Sequence, residues 1–205
     1  MNRLWKSARP LILASASGTR RDMLTACGIP LVIDAAHIDE RAVEGELLAQ
    51  KADPSDIAAT LARAKARAVS ARHPGSLVLG ADQVLDFEGR CFSKAANLAA
   101  LAGQLAELSG KGHRLISAAC LWRDGAEFWS GVSVATLAMR ALSPDFIQLY
   151  VAACGPAVLS SVGGYQIEAF GIHLFAAIDG DLPAVLGLPL LQLLDALRTE
   201  GSLAS

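Results

Sequence analysis

The chain has 205 residues, of which 53% are hydrophobic and 19% are charged, and its formal net charge is −2 at pH 7. This composition excludes a disordered or coiled-coil protein and favours an α/β core. Since no arginine-rich tract is present, the sequence argues against a long groove for a nucleic acid polymer, whereas a small anionic ligand would need only a local patch of positive charge.

Cysteines, histidines and apolar runs exclude several other classes. The four cysteines are widely spaced and form no C-x-x-C pair, so they indicate reduced thiols and not a zinc or redox motif. The four histidines lack the spacing of metal ligands. Met1–Arg9 has no apolar leader and no run of about 18 apolar residues follows, so we expect a cytoplasmic protein without membrane contact.

The first predicted element is a strand, Leu11–Ala14, which leads through Ser15 and Ser17 into a helix over Thr19–Ala26. Arg20 and Arg21 lie where that helix begins. Free backbone N–H groups, hydroxyl donors and guanidinium charge would meet at this point. The stretch therefore predicts an anion site, with phosphate as the expected ligand.

The next part of the chain predicts a strand at Leu31–Asp34, a charged loop at Ala35–Ala52 and a helix from Asp53-Pro54 to about Ala71. Lys65 follows Leu61 by four residues, so it leaves the helix from nearly the same side as the apolar stripe. Two readings are open: a lysine that snorkels at the edge of the stripe, or a lysine with a function.

A buried central strand is predicted at Ser76–Ala81, because this apolar run ends abruptly in Asp82. Ligands of open α/β sheets bind beyond the carboxyl ends of the strands. Asp82 is therefore a candidate functional carboxylate.

The remaining elements complete a mixed α/β unit. Hairpins are predicted at Val84–Phe87 with Arg90–Ser93 and at His113–Trp122 with Glu127–Ala141, helices at Asn97–Leu108, from Ser143 to about Ala153 and at Ala184–Arg198, and a strand at His173–Ile178 after an irregular Gly155–Tyr165. No linker or repeat divides the chain. We expect one domain over residues 1–205, with two intimate lobes around a central cleft.

Candidate ligand groups come from five separate elements. The basic and hydroxyl groups are those of Ser15, Arg20, Arg21, Lys65 and Lys94, and the acids are Glu40 and Asp82. If they converge, they can hold a polyphosphate by charge-assisted hydrogen bonds and a divalent cation by carboxylate oxygens, although each feature alone is also common in purely structural roles. Neither a P-loop nor a dinucleotide G-x-G-x-x-G is present, and no G-x-S-x-G elbow supports a serine hydrolase.

Six blocks, in order along the chain, resemble the Maf (septum-formation-inhibitor) family. They are L-I-L-A-S-A-S-G-T-R-R-D-M-L at 11–24, I-D-E at 38–40, L-A-R-A-K-A at 61–66, L-G-A-D-Q-V at 79–84, G-G-Y-Q-I-E-A-F-G at 163–171 and V-L-G-L-P-L at 185–190. The resemblance implies a twisted mixed sheet with flanking helices, as in inosine triphosphate pyrophosphatases. It also implies hydrolysis of a nucleoside triphosphate to monophosphate and pyrophosphate with Mg²⁺ or Mn²⁺, as a house-cleaning activity against non-standard nucleotides.

The resemblance also implies roles for individual residues. Asp82 takes the place of the family's catalytic aspartate, the proton acceptor. Ser15, Arg20, Lys65 and Lys94 fall on phosphate-binding positions, and Glu40 would hold the metal together with Asp82. A homodimer is suggested by the resemblance and by the general frequency of two-fold assemblies.

Three further positions, Thr19, Gln83 and Glu168, correspond to those at which the family's branches differ. The branch that acts on dTTP and UTP carries Arg, Thr and Gln there, and the branch that acts on 7-methyl-GTP carries Trp, Gln and Glu. Gln83 and Glu168 match the second branch, and Thr19 matches neither. A carboxylate can accept from both N1–H and the 2-amino group of guanine, so Glu168 favours a 7-methyl-GTP-like substrate.

Two alternatives stay open at this point. One is a pyrophosphatase for dTTP and UTP, and the other is a non-catalytic, nucleotide-binding regulator of cell division. Gly18 and Ala95 also stand where members of the family often carry proline. Thr19, after Gly18, lacks the positive charge of the dTTP and UTP branch, and Ala95 changes the stiffness of the loop that carries Lys94.

Overall fold

A computed structural model describes residues 4–205, so only part of the leader prediction for Met1–Arg9 lies within the described residues. The described chain holds seven strands: β1 Leu11–Leu13, β2 Leu31–Ile33, β3 Val78–Phe87, β4 Arg90–Phe92, β5 Gly112–Arg123, β6 Ala126–Met139 and β7 Phe175–Asp179. Its α-helices are α1 Gly18–Ala26, α2 Glu40–Ala49, α3 Pro54–Ser70, α4 Leu98–Leu108, α5 Pro144–Cys154, α6 Leu182–Val185 and α7 Leu190–Glu200. Short 3₁₀ helices form at Gly155–Ser160, Val162–Gly164 and Phe170–Leu174.

The strands form one mixed sheet in the order β2-β1-β3-β5-β6-β7, with β4 paired to the far part of β3. β1 runs parallel to β2 and β3, and the pairs from β3 onward are antiparallel. Helices flank the sheet. The predicted α/β class is therefore confirmed.

Three apolar clusters hold the helices against the sheet. On one face, α3 buries Ile57, Leu61 and Val69 against Ile12 and Val78. The opposite face carries Leu11, Leu13 and Leu79, which α1 and α7 cover, as alternation along a strand requires. The third cluster packs α4 and α5 against the far ends of β3, β5 and β6.

β3 is longer than predicted, and Asp82 lies within it instead of after it. The prediction ended the strand at Ala81 because the apolar run stops there, at Asp82. In the structure β5 pairs with β3 along Val78–Asp86, which keeps the strand extended. On its other side, β3 pairs with β1 only at Val78 and Leu79 and with β4 only from Leu85 onward. A gap therefore opens beside Asp82, where β1 has ended.

Two other predictions are wrong. The expected loop at Ala35–Ala52 contains α2, which Asp39 caps by accepting a hydrogen bond from the backbone N–H of Ala42. The expected single helix at Ala184–Arg198 is two helices, because Gly187 has a φ of 104° and Pro189 interrupts the backbone hydrogen bonds.

Several remaining expectations have direct counterparts. α3, α4 and α5 begin within a residue of their predicted starts, behind the N-caps Asp53, Asn97 and Ser143. All four cysteines are free. None of the helices in residues 4–205 is long and apolar enough to cross a bilayer.

Candidate active site

A cleft of about 1100 Å³ opens at the gap beside β3. Its walls come from the β1–α1 loop, α2, α3, β4, the 3₁₀ region and the segment around α6. Nine of the candidate site residues named from the sequence line it: Ser15, Thr19, Arg20, Glu40, Lys65, Asp82, Gln83, Lys94 and Glu168. Arg21, predicted beside Arg20 at the anion site, does not line the cleft, because its exposed guanidinium pairs with Asp22. The chain thus brings these groups together, while their individual roles stay predictions.

Lys65 links the two acids of the cleft. Its Nζ donates a 2.6 Å hydrogen bond to Oδ1 of Asp82 and lies 3.0 Å from Oε2 of Glu40. The side chains of Lys65 and Asp82 are only 9% and 11% exposed, whereas that of Glu40 is 51% exposed. The snorkelling alternative for Lys65 is therefore wrong, because its ammonium is buried and paired.

Gly80 sets the distance between α3 and β3 at this point. A Cβ on Gly80 would lie 2.2 Å from the carbonyl oxygen of Ala62 and 2.7 Å from the Cβ of Ala66. No larger residue fits between this helix and this strand without moving one of them. The close approach lets Lys65, between those two alanines on α3, reach Asp82 two residues further along β3.

The amino end of α1 faces the same cleft. Ser17 caps the helix by accepting from the backbone N–H of Arg20, and Ser15 Oγ accepts from the N–H of Ser17. Ser17, Gly18 and Thr19 all line the cleft. The first N–H groups of a helix have no partner within it, so this end favours an anion.

Arg20 is buried and makes several hydrogen bonds to the protein itself. Its Nε donates to the carbonyl of Gly187, and its Nη1 donates to Ser15 Oγ and to the carbonyl of Ala81. The Ala81 carbonyl belongs to the part of β3 that β1 no longer covers. Burial lowers the pKa of Arg20, and the negative charges of Asp82 and Glu40 oppose that shift. Arg20 thus places a positive charge in the cleft wall and also satisfies a carbonyl of β3 that has no partner strand at the gap.

Arg41 and Glu44 also line the cleft, and sequence reasoning missed both as site residues. The pKa of Glu44 is raised, mainly by burial and further by the neighbouring charges of Asp82 and Glu40. Glu40 and Glu44 are four residues apart and share a face of α2. Recognition of that helix would have been the signal that reveals Glu44.

The side-chain amide of Gln83 has a fixed orientation. Its Nε2 donates to Ser117 Oγ and to the carbonyls of Ala184 and Val185, at 3.0–3.1 Å. The hydroxyl of Ser117 itself donates to the carbonyl of Ala184. Turning the amide over would set its oxygen against these acceptors, so the oxygen is the end left for the cleft.

The opposite wall is the stretch from Tyr165 to Glu168. Tyr165 and Ile167 are buried, while Glu168 is exposed at the cleft surface. Lys94 is likewise exposed, on the link between β4 and α4. Tyr165 and Ile167 belong to the apolar cluster that also contains residues of α4 and α5.

Glu40 and Asp82 are the predicted metal ligands, and in the structure both carboxylates contact the ammonium of Lys65. Within residues 4–205, no group of three or more His, Cys, Asp and Glu side chains is arranged to hold a metal ion. Mg²⁺ usually binds proteins through one or two carboxylates, with phosphate oxygens and water completing its shell. The residues present therefore fit a cation that arrives with a phosphate ligand.

Comparison with known proteins places the chain in a family. The family model for Maf-like proteins matches residues 10–200. The nucleoside triphosphate pyrophosphatase of Ruegeria pomeroyi is 45% identical over 192 residues, which cover 94% of this chain and 96% of that relative. The 7-methyl-GTP pyrophosphatase of Rhizobium etli is 47% identical over 193 residues, which cover 94% and 97%.

A distant solved structure is that of the nucleoside-triphosphatase (dITP/XTP pyrophosphatase) of Mycobacterium abscessus, 17% identical with a TM-score of 0.39 over 94% of each chain. The closer relatives decide the assignment, because they and the family model extend over nearly the whole sequence. The chain belongs to the Maf family.

Proposed function

We propose that the chain is a nucleoside triphosphate pyrophosphatase that acts on a 7-methyl-GTP-like purine nucleotide. The observation that carries the proposal is the buried Lys65, paired with Asp82 and Glu40 in a cleft that also receives the amino end of α1. A buried acid, a cation and a helix end in one place are what phosphoryl chemistry requires. The names of the relatives support the same reaction.

In the proposed reaction a water oxygen attacks the α-phosphorus of the nucleotide. The bond between that phosphorus and the oxygen bridging to the β-phosphorus breaks, and pyrophosphate leaves with the bonding electrons. Asp82 accepts the proton that the water loses. The products are a nucleoside monophosphate and pyrophosphate, so atoms and charge balance without a further reactant.

Positive groups around Asp82 would stabilise the charge that develops on the phosphates. Lys65 and Arg20 are buried, so their attraction for an anion is screened less than that of a surface cation. Lys94 is exposed and free to follow the outer phosphates. Ser15 and the first N–H groups of α1 supply neutral donors on the same side.

Glu40 and Asp82 would hold Mg²⁺ or Mn²⁺ together with phosphate oxygens. When bound, the cation would neutralise charge on the triphosphate. Lys65 contacts both carboxylates. When the carboxylates bind the cation, the ammonium of Lys65 would therefore be close enough to bind the phosphates.

The choice of base rests on two acceptors. Glu168 offers a carboxylate, and Gln83 offers the oxygen of an amide whose nitrogen is already committed to three acceptors. A guanine edge presents N1–H and the 2-amino group as donors, whereas a thymine or uracil edge presents a single N–H. Two acceptors in the cleft wall therefore favour a guanine-type base.

The test is a release assay for pyrophosphate with 7-methyl-GTP, GTP, UTP, dTTP and CTP, in the presence of Mg²⁺ or Mn²⁺. We expect the fastest turnover with 7-methyl-GTP, and we expect Asp82→Asn to lower kcat by about 10²–10⁴-fold while the nucleotide still binds. The matched control is Asp145→Asn, which changes an acid at the start of α5, outside the cleft. If the wild type binds nucleotides but releases no pyrophosphate from any of them, the chain is a binding protein and the proposal is wrong.

A further inference from the structure

His113 is buried in β5, directly behind one wall of the cleft. It is 2% exposed, and its Nε2 lies 2.6 Å from the phenolic oxygen of Tyr165, a residue that lines the cleft. Among the described residues its Nδ1 has no hydrogen-bond partner. Burying a histidine with one unpaired nitrogen costs free energy of folding. A histidine at this position therefore needs an explanation, and its one hydrogen bond, to Tyr165, is where we look for it.

The backbone before Tyr165 fits its surroundings closely. Gly163 and Gly164 have φ values of 76° and 67°, and a Cβ on Gly164 would lie 1.9 Å from Cδ1 of Leu101. The carbonyl of Gly164 accepts a hydrogen bond from the hydroxyl of Tyr150. The Tyr165 ring then packs edge-on against Phe175, with centroids 4.9 Å apart.

The backbone after Tyr165 is a compact turn. The carbonyl of Gln166 accepts from the N–H groups of Ala169 and Gly171. Ile167, the residue after Gln166, is buried. Glu168 stands exposed on this turn, facing the cleft. The position of Glu168 therefore depends on how firmly Tyr165 is held.

We propose that His113 is a positioning residue whose hydrogen bond to Tyr165 holds the segment 163–168 where Glu168 can meet the base of the nucleotide. The kinetic part of this inference rests on the proposed function. His113 touches neither substrate nor reacting atoms; it acts through Tyr165. Its effect falls on recognition of the base, because Asp82 and Lys65 lie on other elements.

The experiment compares His113→Leu and Tyr165→Phe, each of which removes the same hydrogen bond from one side. Tyr165→Phe keeps the ring against Phe175, so it provides a folded variant if His113→Leu is unstable. With the nucleotide that the wild type turns over fastest, we expect each variant to raise KM about tenfold and to change kcat less than threefold. The double variant should be no worse than the more affected single variant, because both changes remove one interaction.

The matched control is His73→Leu. His73 makes a 2.7 Å contact with Asp34 outside the cleft, so its loss should leave KM unchanged. KM values within twofold of wild type for both His113→Leu and Tyr165→Phe, or effects that simply add in the double variant, would overturn the positioning role.

Amide hydrogen exchange separates this inference from the proposed function. Protection of residues 163–168 should fall in both variants, while protection of β5 and β6 away from residue 113 is retained. If the wild type hydrolyses no nucleotide but this loss of protection occurs, the proposed function fails and the positioning role stands. If the wild type is active but protection of 163–168 is unchanged in both variants, the positioning role fails alone.

Discussion

Replacing Lys65 with methionine tests the central contact of the site. Methionine has nearly the length of lysine without its charge, so the change removes the ammonium and little volume. Lys65 is paired with Asp82 at 2.6 Å, where both side chains are about nine-tenths buried, and with Glu40 at 3.0 Å, where the acid is half in solvent. The variant therefore leaves one buried carboxylate and one solvated carboxylate without a partner.

The two contacts should differ greatly in free energy. Removing one partner of a buried ion pair costs about 3–5 kcal/mol, whereas an exposed pair is worth less than about 1 kcal/mol. Since Asp82 keeps some access to the cleft, we expect Lys65→Met to lower the free energy of unfolding by about 3 kcal/mol. For a chain of this length that corresponds to a fall in Tm of roughly 6–12 °C.

Thermal and urea unfolding, followed by circular dichroism, measure this cost. Glu40→Gln is the matched variant and should lower the free energy of unfolding by less than about 1 kcal/mol. The double change Lys65→Met with Asp82→Asn should recover part of the loss, because no buried charge is left without a partner. If Lys65→Met destabilises the protein no more than Glu40→Gln, then the Lys65–Asp82 pair is solvated and the reasoning is refuted.

Three other predictions concern the base, the pH and the metal. Glu168→Gln should lower the ratio of kcat/KM for 7-methyl-GTP over UTP by at least about tenfold, and an unchanged ratio would rule out recognition through Glu168. Burial lowers the pKa of His113 from 6.5 to about 4, so its neutral form stabilises the fold fully above pH 6.5 and this contribution is lost as the pH falls to about 4. His113→Leu should therefore flatten the dependence of Tm on pH between 7 and 4, whereas equal slopes for both proteins would contradict the burial of a neutral imidazole. Chelation with EDTA should abolish pyrophosphate release, and added Mg²⁺ should restore it. Turnover that survives chelation would refute the requirement for a divalent cation and with it the metal-binding role of Glu40.

Much of the site could be predicted from short stretches of sequence. The apolar run that ends at Ala14, the serines and the arginines after it indicate a strand followed by a helix start, and the structure has both. Lys65 stood out because it leaves α3 near the apolar stripe, although its spacing alone also allowed a snorkelling side chain. These signals are local, so neighbouring residues were enough to read them.

The break between α6 and α7 had a local signal, Gly187 and Pro189, that the helix prediction overrode. The other two errors arose where the sheet or the solvent decides the structure. Helix α2 buries none of its residues fully and contains Gly45, so its amphipathic pattern is weak. The extension of β3 past Asp82 comes from pairing with β5, more than thirty residues later. The propensities of neighbouring residues carry no information about a partner strand so far along the chain.

The hydrogen bonds that orient the site are also long-range. Gln83 is held by carbonyls about a hundred residues away, and His113 by Tyr165 at a separation of 52. Nothing near Gln83 in the sequence indicates which end of its amide faces the cleft. Such contacts follow only once the whole fold is known.

The segment at 184–187 serves two parts of the site at once. Its carbonyls accept from Gln83, which we propose to face the base, and from Arg20, which we propose to bind the phosphates. A change of base preference made at Gln83 would thus also release two carbonyls of this segment. If both proposed roles hold, a switch of base specificity at Gln83 should also disturb phosphate binding, so we expect a viable switch to need a compensating substitution in or around α6.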